Sequence, residues 1–338
     1  MNKYLRISVL SLILSLIMLN NASSQSPQSA IKDISEIRIR DPFILTDEAN
    51  GCYWMYASSA VQMADNKTVG GVVVWKSKDL KRWEGPQRVF QVPENNWITG
   101  NVWAPEVHFY RGIYYLFATL NSDIAWKAPR EGWPKYLFRG VQVFHSDKPE
   151  GPFLPFSLKP HTPQDFMALD GTLWVEDGQP YMIYCHEWVQ TVDGKMNLMP
   201  LKEDLSEAGG GSVRLFYASS APWGKNNAES YVTDGCFLYR TKTNKLLMIW
   251  SSFTPEGEYA IGIAESSTGK VAGPWRQQEK PLFTRDGGHG MLFRTLEGRL
   301  CLALHQPNSG GRERAHIFEI EDAGNTLIIK KEITEVKK

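Results

Sequence analysis

Three aspartates, Asp41, Asp170 and Asp234, each stand at the head of a short apolar run. The runs are Asp41-Pro42-Phe43-Ile44-Leu45, Asp170-Gly171-Thr172-Leu173-Trp174 and Asp234-Gly235-Cys236-Phe237-Leu238. Ala104 and His289 head two further runs of the same kind, Ala104-Pro105-Glu106-Val107-His108 and His289-Gly290-Met291-Leu292-Phe293. An aspartate before a strand is ordinarily a turn or capping residue. Three at matching places in a repeat suggest chemistry instead. Carboxylates brought together repel, their pKa values split, and one serves as a base while another keeps its proton. Glu187, in Tyr184-Cys185-His186-Glu187-Trp188, is a fourth carboxyl, placed just after an apolar run where desolvation favours its neutral form. Its simpler reading is a structural ion pair with a loop.

The elements that must position these groups are strands. Each head leads through a turn into a second apolar run: Tyr53-Trp54-Met55-Tyr56, Tyr114-Tyr115-Leu116-Phe117, Tyr181-Met182-Ile183-Tyr184, Leu246-Leu247-Met248-Ile249 and Leu300-Cys301-Leu302-Ala303. The five heads are separated by 63, 66, 64 and 55 residues. A second recurring phrase ends in Gly85-Pro86, Gly151-Pro152 and Gly273-Pro274, with Trp83 and Trp275 at outer-strand positions that read as packing. Apolar runs bounded by Gly, Asn and Asp turns, with no persuasive 3.6-residue period after the N-terminal segment, give an all-β chain. Five copies of a roughly four-stranded unit predict a five-bladed β-propeller. In such a ring the first strand of each blade lies innermost, so residues 41, 104, 170, 234 and 289 are expected to converge on one face of the axis.

Composition bounds the rest. The chain has 338 residues, 42% hydrophobic and 12% aromatic, with 37 basic and 37 acidic side chains. That apolar content excludes a disordered chain, and zero net charge argues against a nucleic-acid partner. Cys52, Cys185, Cys236 and Cys301 sit in or beside apolar runs and read as buried thiols, one bridge being the alternative; no C-x-x-C pair marks a zinc site. Lys3 and Arg6 precede an uncharged apolar run from Ile7 to Leu19, followed by small residues suited to cleavage after Ser24. This pattern predicts a signal peptide over 1–24, a linker over 25–36 and the propeller over 37–338, in an exported protein, periplasmic or secreted, with no membrane insertion after cleavage.

The sequence resembles glycoside hydrolase family 43, five-bladed propellers that cleave arabinofuranosides and xylosides. The resemblance runs from about Ile37 to Ile329 and rests on four phrases in order: Arg40-Asp41-Pro42-Phe43, Trp103-Ala104-Pro105-Glu106-Val107-His108, Leu169-Asp170-Gly171-Thr172 and Gly288-His289-Gly290. It implies an inverting hydrolase with two carboxyls roughly 6.5–9.5 Å apart and a water between the base and the sugar. By resemblance Asp41 is the general base, and Asp170 is the carboxylate that orients the general acid and raises its pKa. The expected reaction releases terminal α-L-arabinofuranosyl or β-D-xylosyl residues from plant polysaccharide or oligosaccharide. No cofactor is required. In parts of the family the channel histidine, here His289, approaches a structural Ca²⁺ or Na⁺ through water, yet the sequence has no D-x-D-x-D-G calcium loop.

The match departs at one slot. The family's general acid is a Glu opening the fourth blade in an E-G-P phrase, and here that slot reads Thr233-Asp234-Gly235-Cys236. Asp reaches one methylene less far, and a misplacement of about 1 Å can cost on the order of 10²-fold in rate. Either Asp234 is the acid with the chain or substrate shifted to meet it, or Glu187 takes the role and Asp234 orders substrate hydroxyls; the sequence favours Glu187. Trp103, His108, Trp188, His289 and His305 are candidates for stacking on or bonding a sugar, with blade packing as the alternative for each. Two rival functions follow from the departure: a carbohydrate-binding propeller without catalysis, and a related propeller glycosidase acting on another sugar such as galactofuranose.

Overall fold

The computed structural model describes residues 30–62, 68–225 and 229–334, so the segment expected to be a signal peptide lies outside the described residues. Among the described residues the strands form five antiparallel sheets, and these are the blades of a five-bladed propeller. Blade I comprises Phe43–Asp47, Cys52–Gln62, Thr68–Ser77 and Arg82–Gln91. Blade II comprises Asn101–Tyr110, Ile113–Lys127, Tyr136–Ser146 and Leu154–Pro155, and blade III Ala168–Glu176, Gln179–His186, Lys195–Pro200 and Val213–Tyr217. Blade IV comprises Asp234–Arg240, Leu246–Phe253, Tyr259–Ser266 and Trp275–Gln277, and blade V Gly288–Arg294, Leu300–Gln306, Arg314–Asp322 and Leu327–Glu332. A further strand, Ala30–Asp33, pairs with Arg82–Gln91 at the outer edge of blade I. This strand lies inside the stretch expected to be a linker, its backbone pairing with the outer sheet edge there.

The inner two strands of each blade are apolar on both faces because each blade is covered by its neighbours. Leu116, Phe117, Ile183, Tyr184, Met248, Ile249, Leu302 and Ala303 are fully buried. Their segments therefore read as continuous apolar runs rather than as alternating ones. Trp83 is fully buried and donates from Nε1 to Leu80 O at 3.1 Å, and Trp275 donates to Val271 O at 2.9 Å, which makes both outer-strand tryptophans packing residues. The three Gly-Pro phrases share a cis bond. All four cysteines are buried free thiols. Among the described residues no helix is long and apolar enough to cross a membrane.

The heads of the inner strands share one backbone device. Asp41, Ala104, Asp170, Gly235 and His289 have φ of 49°, 41°, 56°, 47° and 51°, all in the left-handed region. In blades II to V the pairing register slips by one residue at this point, between Trp103 and Glu106, Leu169 and Thr172, Asp234 and Phe237, and Gly288 and Met291. Such a bulge turns one residue out of the pleat and re-aims it. The five positive-φ residues are thus the equivalent ones, and the fourth is Gly235, not Asp234 as the spacing suggests. Asp234 is one residue earlier, in the place occupied by Trp103, Leu169 and Gly288 in the other blades.

Candidate active site

Three of the five heads, Asp41, Asp170 and His289, line a cavity of about 440 Å³ on one face of the ring, within the size range of small-molecule sites. Asp41, Asp170, Glu187 and Asp234 all line it, together with Trp103, Trp188 and His289. His289 links the two aspartates nearest the axis, with Nδ1 3.3 Å from Asp41 Oδ1 and 3.8 Å from Asp170 Oδ2. Those two distances cap the separation of the carboxyl oxygens at about 7 Å. The bulge amides fix the ring of side chains from behind. Asp170 N donates to Thr119 Oγ1 at 2.8 Å, His289 N to Ser251 Oγ at 2.9 Å, and Gly235 N to Asp170 Oδ2 at 3.0 Å.

The electrostatics separate the carboxyls. Burial alone would raise the Asp41 carboxyl, but His289 and His305 beside it outweigh that and hold it well below the usual carboxylate range. For Asp170, burial and then the negative charge of Asp41 push the pKa up to about 8, against the opposing Gly235 N–H. For Asp234, burial and then Asp170 push it up to about 7, with His289 and the Tyr259 hydroxyl offsetting part of the rise. Tyr259 OH donates to Asp234 Oδ2 at 3.0 Å. Burial also raises Glu187, while its ion pair with Arg139 Nη1 works the other way. Arg139 in turn donates from Nε to Asn121 Oδ1 at 2.7 Å and lies 4.3 Å over the Trp103 ring. One carboxylate is ionised across the cavity from carboxyls that keep a proton near neutral pH, the pattern that general acid–base catalysis requires.

Two expected sugar-binding residues are placed elsewhere. His108 lies four residues down the strand from the Ala104 bulge, where Nε2 meets Glu106 Oε2 at 2.8 Å and the ring packs edge-on against Phe43 and Phe117 between blades. His305 is 0% exposed; its Nδ1 lies 3.1 Å from Asp41 Oδ1 and 3.2 Å from Asp41 N, and its ring stacks on Tyr259. It therefore positions the Asp41 carboxyl and is shielded from a bound sugar. His186, beside Glu187, stacks on Phe166 and bonds Gln190 Oε1 at 2.7 Å, so it contributes nothing to the cavity. Arg40, Ser58, Leu169, Val232, Phe253 and Tyr259 complete the lining. Of these Arg40 and Leu169 belong to phrases that marked the site in sequence. Among the described residues no group of three or more His, Cys, Asp and Glu side chains could hold an ion, and His289 spends Nδ1 on Asp41.

Residues 32–322 match the family described as glycosyl hydrolases family 43. The chain belongs to that family. A family-43 chain is a glycoside hydrolase, and its substrate is a carbohydrate. The fold is similar to the endo-arabinase of Bacteroides thetaiotaomicron, at 38% identity and a TM-score of 0.74 over 86% of this chain and 96% of that one. It is also similar to a thermostable family-43 glycoside hydrolase, at 22% identity and a TM-score of 0.73 over 89% and 95% of the two chains, a likeness of fold. The xylosidase/arabinosidase 43A of Humicola insolens is 33% identical over 102 residues, which is 30% of this chain and 26% of that protein.

Proposed function

We propose that this chain is an inverting glycosidase that releases terminal α-L-arabinofuranosyl or β-D-xylosyl residues from plant polysaccharide or its fragments, after export from the cell. The observation that carries the reading is the split of carboxyl states around one 440 Å³ cavity: Asp41 held ionised by two imidazoles, Asp170 and Asp234 pushed to about 8 and about 7. Asp41 Oδ accepts a proton from water as that water attacks the anomeric carbon. Asp234 donates its proton to the departing oxygen, and Asp170, whose Oδ2 accepts from the Gly235 amide next to it, adds to the burial that keeps Asp234 protonated before the transfer. A single displacement with an oxocarbenium-like transition state needs no more than this. Trp103 and Trp188 supply ring faces for the sugar.

Glu187 is the second reading for the acid, favoured by its longer reach and by its place on the same wall beside Trp188. Its ion pair with Arg139 stabilises the ionised form, and this moves our preference to Asp234. Asp234→Ala is expected to retain hydrolysis of aryl glycosides with good leaving groups, to lose about 10²–10⁴-fold with poor ones, and to be rescued by azide or formate. The same pattern in Glu187→Ala, with near-normal turnover in Asp234→Ala, would reverse the assignment. A panel of aryl arabinofuranosides, xylosides and galactofuranosides, with product anomers read by NMR, tests the reaction itself. An inverted arabinose or xylose is the expected product. Retained configuration, release of galactofuranose, or sugar binding without hydrolysis would each replace the reading. The neighbour called an endo-arabinase makes internal cleavage the competing mode, which product length from linear arabinan distinguishes.

A further inference from the structure

A second groove, of about 790 Å³, opens at the rim between blades I and II. Its walls are the connection 94–101 and the long hairpin made by Ile113–Lys127 and Tyr136–Ser146. It lies at the head end of the blade II inner strand, where Asn101 pairs with Asn121 and Trp103 with Thr119, and so on the same face as the catalytic cavity that Trp103 lines. We propose that this groove is a second carbohydrate site, holding a neutral polysaccharide segment beyond the residue being cleaved; the inference rests on the hydrolase reading above.

The lining has the chemistry of a sugar site. Trp97 offers a half-buried aromatic surface, while Asn95, Asn96, Asn101 and Asn121 contribute amides that can both donate and accept. Glu94 and Asp123 are its acidic side chains, and among the described residues no basic side chain lines it, which disfavours an anionic polymer. Trp97 is fixed by donation from Nε1 to Gln142 Oε1 at 2.8 Å, and Asn96 Nδ2 donates to the same oxygen at 3.0 Å. Asn96 Oδ1 has no protein partner although the residue is only 8% exposed. The groove is also preformed. Gly70 N donates to Gly100 O at 2.9 Å, and a Cβ at Gly70 would come within 2.5 Å of Val102 N, so the connection is seated directly on blade I backbone.

One guanidinium forms the partition between the two cavities. Arg139 bonds Asn121 on the groove side and pairs with Glu187 on the catalytic side. A chain occupying both sites would straddle that partition.

The test is mobility of the Asp41→Asn protein in native gels containing soluble arabinan, arabinoxylan or polygalacturonate. A neutral polymer is expected to retard it, and polygalacturonate is not. Adding Asn95→Ala and Asn101→Ala, two exposed positions, should weaken that retardation at least fivefold. Trp97→Ala, checked for folding by its melting temperature, should do the same. In the active enzyme the Asn95→Ala/Asn101→Ala pair should raise the ratio of KM for polymer to KM for an aryl glycoside by a similar factor. Retardation unchanged in these variants, equal retardation by polygalacturonate, or none of the parent by any polymer would overturn the proposal. Failure of the hydrolase reading is distinguishable: the wild-type chain would leave every aryl glycoside intact while retardation persisted.

Discussion

Asp41 and Asp170 are the same residue type on equivalent left-handed bulges, yet their neighbours send the two carboxyls in opposite directions. Two imidazoles face Asp41, whereas Asp170 is buried beside a negative charge. The catalytic consequence is a pH profile of kcat/KM whose alkaline limb falls near pH 7, where Asp234 loses its proton, and whose acid limb lies below the usual carboxylate range. Asp234→Asn should remove that alkaline limb. Stability follows with a definite sign. Asp170 and Asp234 bind protons more tightly folded than unfolded, so their contribution is fully present below their unfolded pKa values and is lost as pH rises through about 7 to 8. Below about pH 6.5 the buried His161 and His186, both lowered to about 4, act in the opposite sense, so the melting temperature should fall from about pH 6.5 to about pH 8, and Asp170→Asn should flatten the fall. A melting temperature that rises over this interval would contradict the assigned direction.

The elements hold this arrangement through the bulge at each strand head. Gly235 fills the fourth such place, with φ 47°, and a Cβ there would stand 2.7 Å from His289 Cγ. Gly235→Ala is expected to cost about 1–3 kcal/mol in backbone strain and to lower kcat/KM by pushing His289 off the two aspartates. Denaturant unfolding and kinetics on an aryl glycoside measure the two effects. The strands themselves were legible in the apolar runs, and so were Asp41, Asp170 and His289 as convergent residues. Arg139 and Tyr259 were not. Each sits at the start of, or within, a third strand whose local sequence carries no turn or motif signal, and only the stacking of blades brings them to Glu187 and Asp234. His305 failed as a sugar contact for the same reason: its strand carries it beneath Asp41, where Tyr259 covers it.

At the scale of the whole ring, blade I is built from the N-terminal described residues and blade V from the C-terminal ones, so side chains and a few backbone bonds must close the circle. Ile39 N donates to Glu313 O at 3.1 Å and Arg314 Nε to Ser35 O at 2.7 Å. The Glu313 side chain, 4% exposed, pairs with Arg38 at 3.2 Å and approaches Arg40 at 4.0 Å. Arg40 precedes Asp41 and bonds Asn308. Glu313→Ala should therefore cost about 1–3 kcal/mol in urea unfolding, and it should reduce kcat by loosening Arg40 and Asp41 together. Lower stability with kcat unchanged would show that closure and the site are independent.

The sequence by itself determined the number of blades, the family and the carboxyls that meet at the axis, because repeated spacing and apolar runs are properties of the chain read in one dimension. The tertiary structure alone decided which carboxyl holds a proton, which histidine is shielded, and that Gly235 rather than Asp234 is the true counterpart of Asp41. Those depend on burial and on charges brought close from other blades, and neither quantity exists until the ring has closed.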